Sequence, residues 1–202
     1  METKARRLAR TLMERARARA RERFAQGTAD ASDNDRLHQY LAVERNYRKV
    51  WRGALQPQSW YPRRSRRGSV PFLVNALGHV GVEIPADERI GGLEIARFTS
   101  ALSSHLQEAR GWQRIERSQE LRPGDVVFTR DAPCCVGIPD HVFVFMGWSD
   151  RERDIALAVD DQGHTHARPL FPRERPELGH AALTAFSYGL RATAEQRPTD
   201  AR

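Results

Sequence analysis

After Trp112 the apolar residues change their rhythm from three- and four-residue spacing to short alternating or continuous runs, and no other feature constrains the fold of this chain more. The runs are Gln113 to Glu116, Asp125 to Thr129, His141 to Trp148, Ile155 to Asp160, Thr165 to Arg168 and Ala185 to Arg191. Turn signals separate them, including Arg122-Pro123-Gly124 and Gln162-Gly163, so each reads as a strand. Helical patterns precede them. Helices first and strands afterwards imply an α+β fold with an antiparallel sheet.

Five segments make up the part before Trp112. Glu2 to Phe24 has good helix formers but too few apolar residues for a core stripe, so it reads as an exposed helix. Ser32, Asp33 and Asn34 are candidate caps for an amphipathic helix running to about Trp51, with Leu37, Tyr40, Leu41, Glu44, Tyr47 and Trp51 at helical spacing. Gln56 to Gly68 is a loop. Ser69 then opens a short buried helix with Pro71 in its first turn, Phe72, Leu73, Ala76, Leu77 and Val80 on one face, and Gly81 as its stop. A further helix is expected over Leu93 to Ala109, with Leu93, Ala96, Phe98, Leu102 and Leu106 inward. These readings divide the chain into a basic helical arm (residues 1–31), a folded domain (32–191) and a polar tail (192–202) that is expected to fray.

Charge and cysteine content narrow the function classes. The formal net charge of the 202 residues is +7. Met1 to Gln26 holds nine Lys/Arg against three Glu, a balance of +6, which leaves the body nearly neutral. Such an arm binds phosphates or docks on an acidic partner, and nucleic-acid binding is not expected to be the main function. No run is apolar enough for a membrane helix and the N-terminus presents no apolar signal core, so the expectation is a protein made in the cytoplasm and not inserted in a membrane. The two cysteines, Cys134 and Cys135, are adjacent, which rules out a disulfide framework and a four-cysteine zinc site. They read as loop residues. A zinc site joining them to His141, His164 and His166 lacks a second well-spaced Cys/His pair, so no metal and no cofactor are expected. His79 and His105 read as half-buried or solvated helix residues.

Chemistry concentrates in three places: Ser69 at a helix N-terminus, His141 opening a strand, and Asp160 and Asp161 ending the next. In that order they can supply a nucleophile, a base and an orienting group. Strand alternation puts the two aspartates on opposite faces, so at most one is expected to face His141, and Asp160 is preferred. Trp60, Tyr61 and Trp148 are candidate groove walls. The basic cluster Arg63, Arg64, Arg66 and Arg67 directly precedes Ser69, and Arg66 and Arg67 are its candidate substrate contacts, placed to attract carboxylates.

Three runs carry a family resemblance: Gly68-Ser69-Val70-Pro71-Phe72-Leu73-Val74, Leu121-Arg122-Pro123-Gly124-Asp125-Val126-Val127-Phe128, and Asp140-His141-Val142-Phe143-Val144-Phe145-Met146-Gly147. Together they resemble the NlpC-type cysteine peptidases and the related CHAP amidases, papain-like enzymes that cut peptidoglycan peptides. The resemblance spans about Arg67 to Arg191. It implies a papain-like fold, amide hydrolysis of cell-wall peptides, and the nucleophile at position 69, where the family has Cys and this chain has Ser. A thiol at a helix N-terminus beside an imidazole sits as a thiolate, whereas a hydroxyl does not, so the chain as written is expected to be inactive or nearly so. The flanking residues still look like a catalytic helix start, which favours an engineered or recently lost nucleophile. With a cell-wall substrate and no apolar signal core at the N-terminus, export by a dedicated route or release by lysis is expected, as for an antibacterial effector with an immunity protein. The alternatives are a non-catalytic papain-like module docking a partner through its arm, and a cytosolic thiol peptidase or deamidase acting on proteins.

Overall fold

A computed structural model describes residues 31–54, 68–85, 88–130, 139–171 and 185–193 of the chain. The basic arm, Trp60, Tyr61, the arginines from Arg63 to Arg67, Cys134, Cys135 and the tail beyond residue 193 lie outside the described residues.

The chain is α+β, with four α-helices and one six-stranded antiparallel sheet among the described residues. Helix α1 spans Asp33–Leu41, and of the three candidate caps it is Ser32 that serves. Its hydroxyl accepts from Asp35 N–H (3.1 Å), while Asp35 Oδ2 accepts from Ser32 N–H (3.3 Å), a reciprocal capping box. The single helix expected to Trp51 is two, because α1 ends at Leu41 and α2 spans Glu44–Ala54. Val43 C=O accepts from Asn46 and Tyr47 N–H, and Asn46 Nδ2 donates to Tyr40 C=O (3.1 Å), so side chain and backbone share the closure of the break. Helix α3, Ser69–His79, starts and stops as expected: Gly68 precedes it in extended conformation, and Gly81, at φ 90°, follows. Its residues Val70, Phe72, Leu73, Ala76 and Leu77 are buried.

The helix expected over residues 93–109 is corrected. Strands β1 (Arg89–Ile90) and β2 (Leu93–Glu94) form a hairpin around Gly91-Gly92, whose φ values of 57° and 82° are those a tight two-residue hairpin turn needs. Helix α4 begins only at Thr99 and runs to Ser104, and a π-helical turn, His105–Ala109, completes it. Leu93 and Phe98 are consequently exposed rather than inward, while Leu102 and Leu106 are buried as the spacing predicts. His105 is buried, and burial followed by the nearby Arg110 charge pushes its imidazole below the usual range.

Strands β3 (Gln113–Ile115), β4 (Val126–Arg130), β5 (His141–Asp150), β6 (Ile155–Val159), β7 (His166–Pro169) and β8 (Ala185–Arg191) build the sheet in the order β3-β8-β4-β5-β6-β7. Alternation sorts their side chains between two faces. Val126, Phe128, Val142, Val144, Val159, Tyr188 and Leu190 face the helices. Ile115, Val127, Phe143, Phe145, Ala156 and Ala158 form a second core on the other face, closed by Leu121 and Leu170. Burial on both faces is why β4 and β5 read as continuous apolar runs. No helix among the described residues is long and apolar enough to cross a membrane.

The turn Leu121 to Asp125 proves to be a structural clasp. Gly124 has φ 94°, and a Cβ there would fall 2.1 Å from Asn34 C=O. Asn34 Nδ2 donates to Gly124 C=O (2.7 Å), and its Oδ1 accepts from Ala192 N–H (2.6 Å). Asp125, fully buried, accepts from Arg122 N–H and from two nitrogens of Arg191 (2.6 and 2.9 Å). The first helix is thereby fastened to β4 and β8. Gly124→Ala is expected to lower unfolding free energy by roughly 2 kcal/mol or more, measured by urea denaturation, since both φ and the close approach oppose a side chain.

Candidate active site

The start of α3 and the His141–Asp160 pair lie at the same end of β5. Ser69 is the first residue of α3, which packs against β5, and its Oγ accepts a hydrogen bond from Val142 N–H (3.2 Å). The helix start therefore lies against the backbone of the residue following His141. Ser69 and His141 are each 7% exposed and Asp160 is fully buried. Among the described residues no hydrogen bond joins the Ser69 hydroxyl to the His141 ring, an arrangement common in sites that tighten only around a substrate.

His141 Nε2 meets Asp160 Oδ2 at 2.9 Å. With that nitrogen on the carboxylate, Nδ1 is the one left to address a nucleophile or substrate. Asp160 directly follows β6 where the chain turns, and its Oδ1 accepts from Gln162 N–H (2.8 Å) and Gly163 N–H (3.3 Å). This is the local reason an aspartate stands here: its short side chain closes the turn by bonding backbone two and three residues on. Burial alone would push the Asp160 carboxyl up. The His141 hydrogen bond and charge, His166 and the Gln162 N–H more than offset it, and the carboxyl lies below the usual range.

Asp161 departs from the expectation that only one aspartate faces His141. The chain bends directly after Val159, so strict alternation ends there, and one ligand atom each of His141, Asp160 and Asp161 lie within 4.8 Å of one another. Asp161 is half-buried, and burial together with the Asp160 charge pushes its carboxyl up. Two neighbouring carboxyls are thus driven apart, with Asp160 holding its charge and Asp161 the more readily protonated.

Other expected contributors fall elsewhere. Trp148 lies seven residues along β5 from His141, roughly 20 Å away, and stacks edge-on against Phe145 (5.1 Å) in the second core, so it is not a wall of this site. His164 bonds Leu41 C=O (3.0 Å) and lies against the Tyr47 ring. His79 meets the Tyr40 hydroxyl (3.1 Å). Among the described residues, one side-chain atom each of His141, Asp160 and Asp161 come close enough together to hold a cation, while Cys134 and Cys135 lie outside the described residues. Against a metal stands Arg168, whose Nη1 is 3.3 Å from Asp160 Oδ2 and brings a permanent positive charge to the same oxygen.

Arg168 and Tyr47 are not expected at this site from the sequence, and His166 enters only as a candidate zinc ligand. Arg168 and His166, the latter with Nε2 3.6 Å from Asp160 Oδ2, approach from β7. Tyr47 approaches from α2, and burial followed by the charges of Asp160 and Asp161 pushes its phenol up. The spacing of His166 and Arg168, two apart on one strand face, was the available signal.

No family model matches this chain, and no curated protein and no solved structure does either.

A carboxyl depressed in the folded state adds stability above about pH 4, and that stability is lost as pH falls through the folded value. Asp160→Asn is therefore expected to melt below the parent at pH 7, with the gap narrowing under about pH 4. Thermal melts at pH 7 and pH 3 measure it.

Proposed function

We propose that this protein carries the site of a papain-like hydrolase of amide bonds in peptidoglycan peptides, and that with Ser69 in place of the family's thiol the chain as written is inactive or nearly so. The observation that carries the reading is the convergence of a helix-opening Ser69, a strand-opening His141 and a fully buried Asp160 whose carboxylate holds the imidazole at 2.9 Å. The choice of substrate rests on the resemblance of the three sequence runs.

The chemistry follows from those roles. In the active form, with Cys at position 69, the residue-69 side chain attacks the amide carbon as His141 takes its proton, and the carbonyl oxygen becomes an oxyanion. Backbone N–H groups of the first turn of α3 have no acceptor within a helix and are the donors suited to that charge, although Pro71 contributes none. Collapse breaks the C–N bond, and the leaving amine takes the proton from His141. Water, giving its proton to the same imidazole, then hydrolyses the acyl-enzyme. Asp160 keeps the ring in place and stays ionised. Release into a cell wall by a dedicated export route, with an immunity protein covering the site, belongs to the same proposal.

A second reading, a non-catalytic binding module, is favoured by one contact: Ser69 Oγ is engaged by Val142 N–H rather than by the imidazole.

Incubating the chain and its Ser69→Cys variant with purified peptidoglycan, and following released fragments by mass spectrometry, separates the two readings. The thiol is the better nucleophile beside an imidazole, so the Cys form is expected to release peptides at least about tenfold faster than the parent. His141→Ala in the Cys form is expected to lower release by roughly a hundredfold or more. Folded proteins that release nothing in either form would leave the binding module.

A further inference from the structure

We infer that Arg168 is a positioning residue for this site: its guanidinium holds Asp160 Oδ2 for His141 Nε2 and offsets part of the carboxylate's charge, leaving the imidazole available as a base. Its catalytic meaning rests on the hydrolase reading above, whereas its electrostatic content stands on the geometry.

Arg168 is 7% exposed, which is rare for a group that never gives up its proton. Strand register shows how it is accommodated. Arg168 pairs with Ala156 and His166 with Ala158, and both alanines are fully buried, so the small residues of β6 leave room for two long side chains from β7. The guanidinium reaches Asp160 Oδ2 (3.3 Å) and lies over the Phe143 ring, its carbon 5.5 Å from the ring centre. Phe143 and His141 share one face of β5, so the same ring that supports the arginine neighbours the imidazole.

The oxygen Arg168 holds is the one His141 uses. A fully charged carboxylate, buried and without the arginine, would favour the protonated imidazole, which cannot accept a proton from a nucleophile. A guanidinium on that oxygen shifts the balance toward the neutral ring. Among the described residues, the groups around His141 and Asp160 are Asp161 beyond β6, His166 and Arg168 on β7, Tyr47 on α2 and Ser69 on α3. Arg168 is the one among these that carries a permanent positive charge.

The test uses the full chain and needs no substrate. NMR titration of the His141 ring is compared in the parent, Arg168→Gln and Arg168→Lys, with circular dichroism confirming the fold. In Arg168→Gln the imidazole is expected to take up its proton at a pH higher by roughly one unit, and Arg168→Lys is expected to recover most of that shift. A folded Arg168→Gln variant titrating at or below the parent's midpoint overturns the inference, because an arginine that only packs would move stability and not this midpoint. Should Arg168→Gln fail to fold, the parent's own guanidinium resonances decide: separate, slowly exchanging Nη signals that shift as His141 titrates support the contact, and an averaged signal insensitive to His141 overturns it. The hydrolase reading fails separately. A shifted midpoint without wall-fragment release from any form keeps the electrostatic assignment and removes the catalytic one, whereas release with an unshifted midpoint removes Arg168 alone.

Discussion

A carboxylate with no exposure to water has to be surrounded by donors, and Asp160 is where that requirement organises this protein. Its Oδ1 is satisfied by two backbone N–H groups of the turn that begins at its own residue, and its Oδ2 by His141 of β5 and Arg168 of β7. One side chain thus ties three adjacent strands and the turn between two of them. The same arrangement prepares a reactive imidazole. Because Oδ1 is occupied by backbone, Oδ2 is fixed in direction, and the ring it holds is fixed with it.

The second buried carboxylate, Asp125, does a different job with similar means. It is compensated by Arg191 and by Arg122 N–H, and Asn34 beside it links the start of the first helix to Gly124 and Ala192. The Gly-Asp turn that contributes to the resemblance with cell-wall peptidases is therefore a fastening between the helical layer and the sheet. It holds β4 in register with β5, pairing Thr129 with His141, and so sets where the imidazole emerges. A motif that looks catalytic by association acts here through packing.

Charge compensation also bears on what the site can hold. His141, Asp160 and Asp161 approach closely enough to attract a cation, yet the guanidinium of Arg168 already stands on the shared oxygen. Two carboxyls that are neighbours in sequence end in contrasting states, Asp160 low and Asp161 high, since the first is ringed by donors and the second faces the charge of the first.

The sheet and most strand bounds were legible from the sequence because period-two alternation and turn residues such as Pro123-Gly124 and Gln162-Gly163 are local signals. The Ser69 helix was legible for the same reason, with Pro71 and Gly81 marking its ends. The break after Leu41 was not, since neither Gly nor Pro stands there and Asn46 closes it through a backbone carbonyl six residues earlier. Gly91-Gly92 signalled the hairpin that the helical spacing of Leu93, Leu102 and Leu106 obscured. Alternation said only that one aspartate at most would face His141 without deciding which, and the nearness of Asp161 came from a bend that alternation does not describe. Arg168 and His166 could be placed on a strand face by sequence, while their pairing opposite Ala156 and Ala158, and hence their reach to Asp160, depended on strand order and register. Sequence by itself determined the elements and the residue types able to do chemistry, because those follow from local sterics and periodicity. Tertiary structure decided which charges share a buried oxygen, because compensation of a desolvated carboxylate depends on residues that only the assembled sheet brings within three or four ångströms.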